Sequence, residues 1–180
     1  MQEVYFSSST DRPLRLVVMG VSGCGKSSLG SALADALGLP LVEGDDFHSP
    51  ESVSKMRAGT ALTDADRAGW LDRLGQELAA AQQGVVLSCS ALKRDYRDRL
   101  RAAAPGLRFV FMELTRDEAE RRVGSRAAHF FAASLVDNQF ATLESPVGEP
   151  GVLAVDATAP MPELVTKVQA WLAAEAPAGA

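Results

Sequence analysis

The sequence is poor in cysteine, with only two in 180 residues. Cys24 lies in a glycine-rich stretch and Cys89 in an apolar run, so the pair has neither metal-ligand spacing nor a disulfide pattern. This scarcity excludes a disulfide-rich scaffold and argues for a reducing compartment. We expect Cys89 to act as a small buried hydrophobic residue.

Long apolar runs and an excess of positive charge are also missing. No apolar stretch reaches membrane-spanning length, and the first residues contain no hydrophobic signal segment. The formal net charge is -5, and 18 Lys and Arg are interspersed with 23 Asp and Glu. Nucleic acid is therefore a poor candidate partner. The expectation is a cytoplasmic protein that binds neither membranes nor nucleic acids.

The length and the 47% hydrophobic content allow one sizeable core, which predicts a single domain. Residues 1–13 are polar and aperiodic and are expected to form a flexible arm, followed by a domain over 14–176 and a tail at 177–180. Short apolar runs alternate with helical segments, which predicts an α/β sandwich with a buried parallel sheet. The predicted strands are 14–19, 40–43, 85–89, 107–114 and 152–155.

Helical periodicity separates these runs. A helix is predicted over residues 26–37, ending at Gly38, with an inner face of Leu29, Leu33, Ala36 and Leu37. Trp70 and Trp171 lie on apolar stripes of two further predicted helices. Core packing therefore suits both tryptophans better than base stacking.

The most informative stretch is residues 20–27, which match G-x-x-x-x-G-K-[ST] between a predicted strand and a predicted helix. The glycines let backbone N–H groups and the helix N-terminus point at a polyphosphate. Lys26 is expected to reach the β and γ phosphates, and Ser27 to bind Mg²⁺. The predicted nucleoside triphosphate site comprises Gly20, Val21, Ser22, Gly23, Cys24, Gly25, Lys26, Ser27 and Ser28.

An acidic turn follows the second predicted strand, at the carboxyl edge where open α/β sheets bind ligands. Asp45 is the candidate base for an acceptor hydroxyl, and Glu43 is the candidate residue that holds Mg²⁺ through water. The alternative is a solvated turn in which Asp46 caps the next helix. His48 alone is a weak signal.

A second polar cluster, Ser90 with Lys93, follows the third predicted strand and could bind an anionic acceptor. Before it, Asp64 is the expected cap of a helix. Arg67 lies on that helix, and the sequence supports two roles for it equally: recognition of a carboxylate and ion pairing at the surface.

Arginines 121, 122 and 126 form a basic stretch. In small kinases such a stretch acts as a lid over the transferring phosphoryl group, and here it would span about 124–132. A solvated helical face suits Arg121 and Arg122 slightly better. Arg126 is the better functional candidate.

Several segments carry a resemblance to a known family: the phosphate loop at 20–27, the acidic turn at 43–48, and residues 55–56 with 64–67 and 70–71. The others are Cys-Ser-Ala-Leu-Lys at 89–93, His-Phe-Phe at 129–131, Gln139-Phe140, Leu143-Glu144 and Pro146. Over residues 14–175 they resemble the bacterial gluconokinases, which are small P-loop kinases. The 89–93 and 129–131 segments separate that family from shikimate and nucleoside monophosphate kinases.

The resemblance implies ATP-dependent phosphorylation of the 6-hydroxyl of D-gluconate, with Mg²⁺, by a homodimer. It also implies a three-layer P-loop kinase fold with a helical lid, built on a five-stranded parallel sheet ordered 2-3-1-4-5. Two departures from the family stand out. Ala127-Ala128 replace the Lys-Gly pair that usually precedes His-Phe, and Asn138 replaces a small hydroxyl residue.

Gluconate is a linear polyol with one carboxylate, and the candidate residues match its chemistry. Arg67 and Lys93 can supply positive charge; hydrogen bonds can come from His48, Ser90 and Gln139. Lys26 and Arg126 are expected to stabilise the γ phosphate while Asp45 acts as base. The alternatives are a related kinase for a shikimate-like or nucleotide acceptor, and a nucleotide-binding regulator without an acceptor. In a regulator without an acceptor, the acidic turn, the cluster of Ser90 with Lys93 and the arginine stretch would share no function.

Overall fold

Five parallel strands form a single sheet in the computed structural model, which describes residues 12–124 and 134–175. The strands are β1 (Arg15–Met19), β2 (Leu41–Glu43), β3 (Val85–Ser88), β4 (Arg108–Glu113) and β5 (Val152–Asp156). Their order is β2-β3-β1-β4-β5. The predicted α/β fold and sheet order are confirmed, and each strand lies within one residue of the predicted bounds. The expected lid residues 125–132, including Arg126, lie outside the described residues.

Helices cover both faces of the sheet. They are α1 (Lys26–Leu37), α2 (Pro50–Arg57), α3 (Asp64–Ala80), α4 (Arg94–Ala103), α5 (Arg116–Gly124), α6 (Ser134–Thr142) and α7 (Met161–Glu175), with a short 3-10 helix at Gly44–Phe47. None of the helices in the described ranges is both long and apolar enough to cross a bilayer.

The central strand β1 shows how the core is divided. Leu16 and Val18 face the layer of α1 and α7, whereas Val17 and Met19 face the layer of α3 and α4. All four side chains are fully buried. Because both faces of β1 are covered, its apolar residues follow one another directly and do not alternate with polar ones.

The buried face of helix α1 differs in part from the predicted one. Ala36 is exposed, and Gly30 and Ala34 are buried instead. A Cβ built on Gly30 would lie 3.1 Å from Leu41 Cδ1. The small residue therefore lets α1 approach β2 closely.

The predicted Asp64 cap was wrong, and the alternative of a cap by Asp46 is not found. Thr63, not Asp64, caps α3: its hydroxyl accepts from the Asp66 N–H at 3.1 Å, and Asp66 Oδ2 accepts from the Thr63 N–H at 2.8 Å. Ser49, not Asp46, caps α2 by accepting from the Ser52 N–H. Because these closer partners satisfy the helix ends, both aspartates are available for other contacts.

Gly44, the residue directly after β2, lies very close to the backbone of β3. A Cβ at this position would lie 2.5 Å from the Ser88 carbonyl oxygen, which is part of β3. We expect Gly44→Ala to lower the free energy of unfolding by about 1–3 kcal/mol, because backbone must move to admit the methyl group.

Gly69→Ala is the matched control, since a Cβ there meets nothing within 4 Å and Gly69 lies inside α3. It should be neutral or stabilising by up to about 1 kcal/mol. Urea unfolding of both variants measures the difference. Equal effects would show that the approach of Gly44 to β3 is not tight.

Candidate active site

The phosphate loop lies between β1 and α1, as the sequence predicted. Gly25 takes a left-handed conformation, with φ of +93°, directly before Lys26 begins the helix. Val21 and Cys24 turn into the core, so the backbone of the loop faces outward. The free N–H groups at the start of α1 and the positive end of its dipole make this a site for a polyphosphate.

Polar side chains from other elements contact this loop. The Ser22 N–H donates to Gln139 Oε1 at 2.6 Å, and Arg122 Nη1 donates to the Gly23 carbonyl oxygen at 3.1 Å. Lys26 Nζ donates to the Val21 carbonyl oxygen at 3.2 Å. The sequence slightly favoured a solvated helical face for Arg122, yet α5 places it against the loop.

Ser27 and Glu43 form the part of the site that suits a metal. Ser27 Oγ donates to Glu43 Oε2 at 2.9 Å, which joins the first turn of α1 to the end of β2. A hydroxyl and a carboxylate beside a phosphate loop are oxygen donors of the kind that Mg²⁺ prefers. These residues therefore fit the predicted metal position.

The acidic turn is held in place by the indole ring of Trp70. Trp70 Nε1 donates to the Gly44 carbonyl oxygen at 2.7 Å, and the His48 ring stacks on the indole with centroids 4.4 Å apart. His48 Nε2 lies 3.5 Å from Asp45 Oδ1, with the His48 side chain 5% exposed and that of Asp45 70% exposed. The tryptophan is buried as predicted, and its wider role in holding this turn was missed.

One cleft brings most of the predicted acceptor residues together. Its lining includes seven predicted site residues: Ser22, Lys26, Asp45, His48, Arg67, Ser90 and Gln139. Thr60 and Asn138 complete the polar part. The sequence analysis missed the apolar wall, which comprises Met56, Ala61, Leu62, Trp70 and Leu135. The cleft thus combines an apolar wall with converging polar groups, as small-molecule sites do.

Lys93 lies beside this cleft without lining it. Its ammonium group pairs with Asp64 at 3.0 Å, and the Tyr96 hydroxyl donates to the same carboxylate. The hydrogen bonds from Tyr96 and Lys93 lower the pKa of Asp64, and the bond to Asp64 raises that of Lys93. Arg67 Nη1 donates to the Leu62 carbonyl oxygen at 2.8 Å and to the Tyr96 hydroxyl at 3.3 Å. The structure therefore brings the two predicted cations into one network.

Cys89 is close to the site but chemically inert. Burial raises the pKa of its thiol to about 12, so the thiol stays protonated. The prediction of a buried small residue is confirmed.

A phosphate loop, an acidic turn and a cation in one cleft define a P-loop kinase of small molecules. The AAA domain family matches residues 16–147. A gluconokinase of Gluconobacter oxydans (strain 621H) is 45% identical over 148 residues, which cover 80% of this chain and 83% of the relative. The thermoresistant gluconokinase of Escherichia coli (strain K12) is 39% identical, with 83% and 87% covered.

Solved structures agree with these relatives. The crystal structure of a gluconokinase from Sinorhizobium meliloti 1021 is 48% identical, with a TM-score of 0.83 over 92% of this chain and 94% of that one. The shikimate kinase of Aquifex aeolicus VF5 is 17% identical with a TM-score of 0.59, which shows a shared fold only. The chain belongs to the gluconokinase family.

The contact between Gln139 and the phosphate loop can be tested by a change of charge. We expect Gln139→Glu to weaken binding of a non-hydrolysable ATP analogue about tenfold or more. A carboxylate there would hold the Ser22 N–H more strongly and would repel the phosphates. Isothermal titration calorimetry measures the affinity.

Asn138→Asp is the control, because it adds the same charge one residue away, and Asn138 lines the cleft but makes no hydrogen bond to the described residues of the loop. It should change the affinity for the analogue less than threefold, about 0.6 kcal/mol. Equal losses in the two variants would refute a specific role for the Gln139 contact.

Proposed function

We propose that this protein transfers the γ-phosphoryl group of ATP to the 6-hydroxyl of D-gluconate, giving 6-phosphogluconate and ADP. The observation that carries the proposal is the single cleft in which Lys26 of the phosphate loop, Asp45 and Arg67 lie together. A cleft of this kind can hold a phosphoryl donor and an anionic polyol at the same time. The gluconokinase relatives support the same acceptor.

The acceptor end of the cleft suits a polyol carboxylate. Arg67 presents a guanidinium, which can bind a carboxylate through two parallel hydrogen bonds. Ser90, His48 and Gln139 offer hydrogen-bonding groups for the hydroxyls along the chain of the sugar acid. Lys93 lies next to this end, where its ammonium group is paired with Asp64, and we propose that it exchanges this partner for the acceptor.

Phosphoryl transfer depends mainly on alignment of the reactants and on stabilisation of negative charge, and much less on covalent catalysis by the protein. Asp45 accepts the proton of the 6-hydroxyl as that oxygen attacks the γ phosphorus and the bond from phosphorus to the β–γ bridging oxygen breaks. Lys26 stabilises the negative charge on the transferring group and on the departing ADP. Arg126 is proposed to add a cation from the lid.

Ser27, together with Glu43 through water, would hold Mg²⁺, which neutralises phosphate charge when bound. The hydrogen bond between these two residues supports that pairing. We further propose a cytoplasmic homodimer that uses neither membrane nor nucleic acid, as the family resemblance and the acidic composition suggest.

A coupled assay of ADP release tests the function. The panel contains D-gluconate, its stereoisomers, shikimate and nucleoside monophosphates. Turnover with D-gluconate should exceed that with every other acceptor. A preference for shikimate or a nucleotide would show that this compound, and not gluconate, is the acceptor. Absence of turnover with every compound would favour a nucleotide-binding regulator.

The choice of base is tested by Asp45→Asn, which keeps the volume of the side chain and removes its charge and basicity. We expect turnover of gluconate to fall about 100-fold or more while affinity for the ATP analogue stays nearly unchanged. Steady-state kinetics and nucleotide titration measure the two quantities.

Asp46→Asn is the neighbouring control, because Asp46 is exposed and does not line the cleft. Its effect should be mild. If Asp46→Asn is the inactive variant and Asp45→Asn turns over normally, the base is Asp46; if both are active, the acidic turn is structural.

A further inference from the structure

Arg97 of α4 is a fully buried arginine whose role the reaction does not explain. All five of its N–H donors have acceptors. Nη1 donates to the carbonyl oxygens of Ala91 at 2.8 Å and Leu92 at 3.1 Å. Nη2 donates to the Glu144 carbonyl oxygen at 2.9 Å and to Glu149 Oε2 at 2.6 Å, and Nε donates to Glu149 Oε1 at 3.0 Å.

The three carbonyl acceptors lie in two segments that adjoin residues of the acceptor cleft. Ala91 and Leu92 lie in the loop between β3 and α4, directly after Ser90, which lines the cleft. Glu144 follows α6, the helix that carries Asn138 and Gln139. The Glu144 N–H also donates to the Leu92 carbonyl oxygen at 2.8 Å. Arg97 therefore ties the Ser90 loop to the end of α6.

The Ser90 loop has an uncommon backbone that needs such support. Ala91 has φ of +46°, and among the described residues it is the only non-glycine residue with positive φ. Alanine rarely adopts this conformation, so the surrounding contacts must hold it. The bond from Arg97 Nη1 to the Ala91 carbonyl oxygen is one of those contacts.

A buried arginine is a costly way to stabilise a fold. Apolar residues of similar volume often replace a buried ion pair with no loss of stability, because the charges must be desolvated. The Arg97 guanidinium and the Glu149 carboxylate are 0% and 6% exposed. Although burial opposes the shift, bonds from Arg97 and Arg101 lower the pKa of Glu149, so the pair stays ionised. What the arginine provides is a rigid set of donors at defined positions.

We propose that Arg97, held by Glu149, is a positioning residue for acceptor binding that sets the 90–92 backbone so that Ser90 faces the cleft. This inference rests on the proposed function, since the acceptor is taken to be gluconate. It assigns Arg97 no contact with the acceptor. Its effect on the acceptor is exerted through Ser90.

Arg97→Lys is the decisive variant, because lysine keeps the positive charge and loses the fork of donors. We expect the KM for gluconate to rise about tenfold or more, with kcat reduced less. Affinity for the ATP analogue should change less than twofold, about 0.4 kcal/mol. The same substitution in a Ser90→Ala background should raise KM much less than in the wild type, because both changes remove the same contact.

Arg101→Lys is the matched control. Arg101 lies one turn further along α4 and also bonds Glu149 Oε1, at 2.9 Å, but among the described residues it makes no hydrogen bond to the 90–92 loop or to Glu144. It should leave the KM for gluconate nearly unchanged. An equal rise in KM for Arg101→Lys, equal losses of ATP and gluconate affinity in Arg97→Lys, or fully additive effects of Arg97→Lys and Ser90→Ala would overturn the proposal.

Glu149→Gln keeps the test valid if Arg97→Lys does not fold, as judged by circular dichroism. It weakens the support of Arg97 and should raise the KM for gluconate in the same direction, about threefold. A folded Glu149→Gln variant with wild-type KM would count against the proposal. A wild-type enzyme inactive on gluconate would refute the proposed function, whereas an active one whose Arg97→Lys variant has unchanged KM would refute only the role of Arg97.

Discussion

The parallel direction of β1, β2 and β3 is the constraint on which the site depends. Each strand ends at the same edge of the sheet, and each is followed by a loop with a separate chemical task. The phosphate loop follows β1, the acidic turn follows β2 and the Ser90 loop follows β3. Because neighbouring strands lie about 4.8 Å apart, three loops distant in sequence become neighbours at one cleft.

Contacts below the cleft keep this edge in place. Gly44 packs against the β3 backbone, and the Trp70 indole bonds its carbonyl oxygen while supporting the ring of His48. The acidic turn is therefore fixed from beneath, with Asp45 exposed above it. Rigid support of this kind suits the role proposed for Asp45, because small displacements of a base lower the rate of reaction.

Helices α4, α5 and α6 add contacts to the phosphate loop and to the acceptor cleft. Gln139 of α6 bonds the phosphate loop and also lines the acceptor cleft, and the end of the same helix is held to the Ser90 loop through Arg97. Arg122 of α5 bonds the loop at Gly23. Both helices therefore bond the phosphate loop, and α6 also lines the acceptor cleft.

Local patterns in the sequence determined the phosphate loop, the strands and the main helices, because each depends on residues close together in the chain. Residues 20–27 carry their own glycine geometry, and buried strands need only a short apolar run. The candidate site was also largely predicted, as Lys26, Asp45, Arg67 and Ser90 meet in one cleft. The sheet order came from the resemblance to a family.

Only the tertiary structure decided which polar residues act across long distances. Arg97 in α4 looks like any helical arginine, and its acceptors lie up to 52 residues away. Gln139 meets Ser22 across 117 residues, and Thr63 displaces Asp64 as a cap through geometry that both residue types allow. Such contacts leave no periodic signal, because they depend on how separately formed elements pack and not on the residues beside them in the chain.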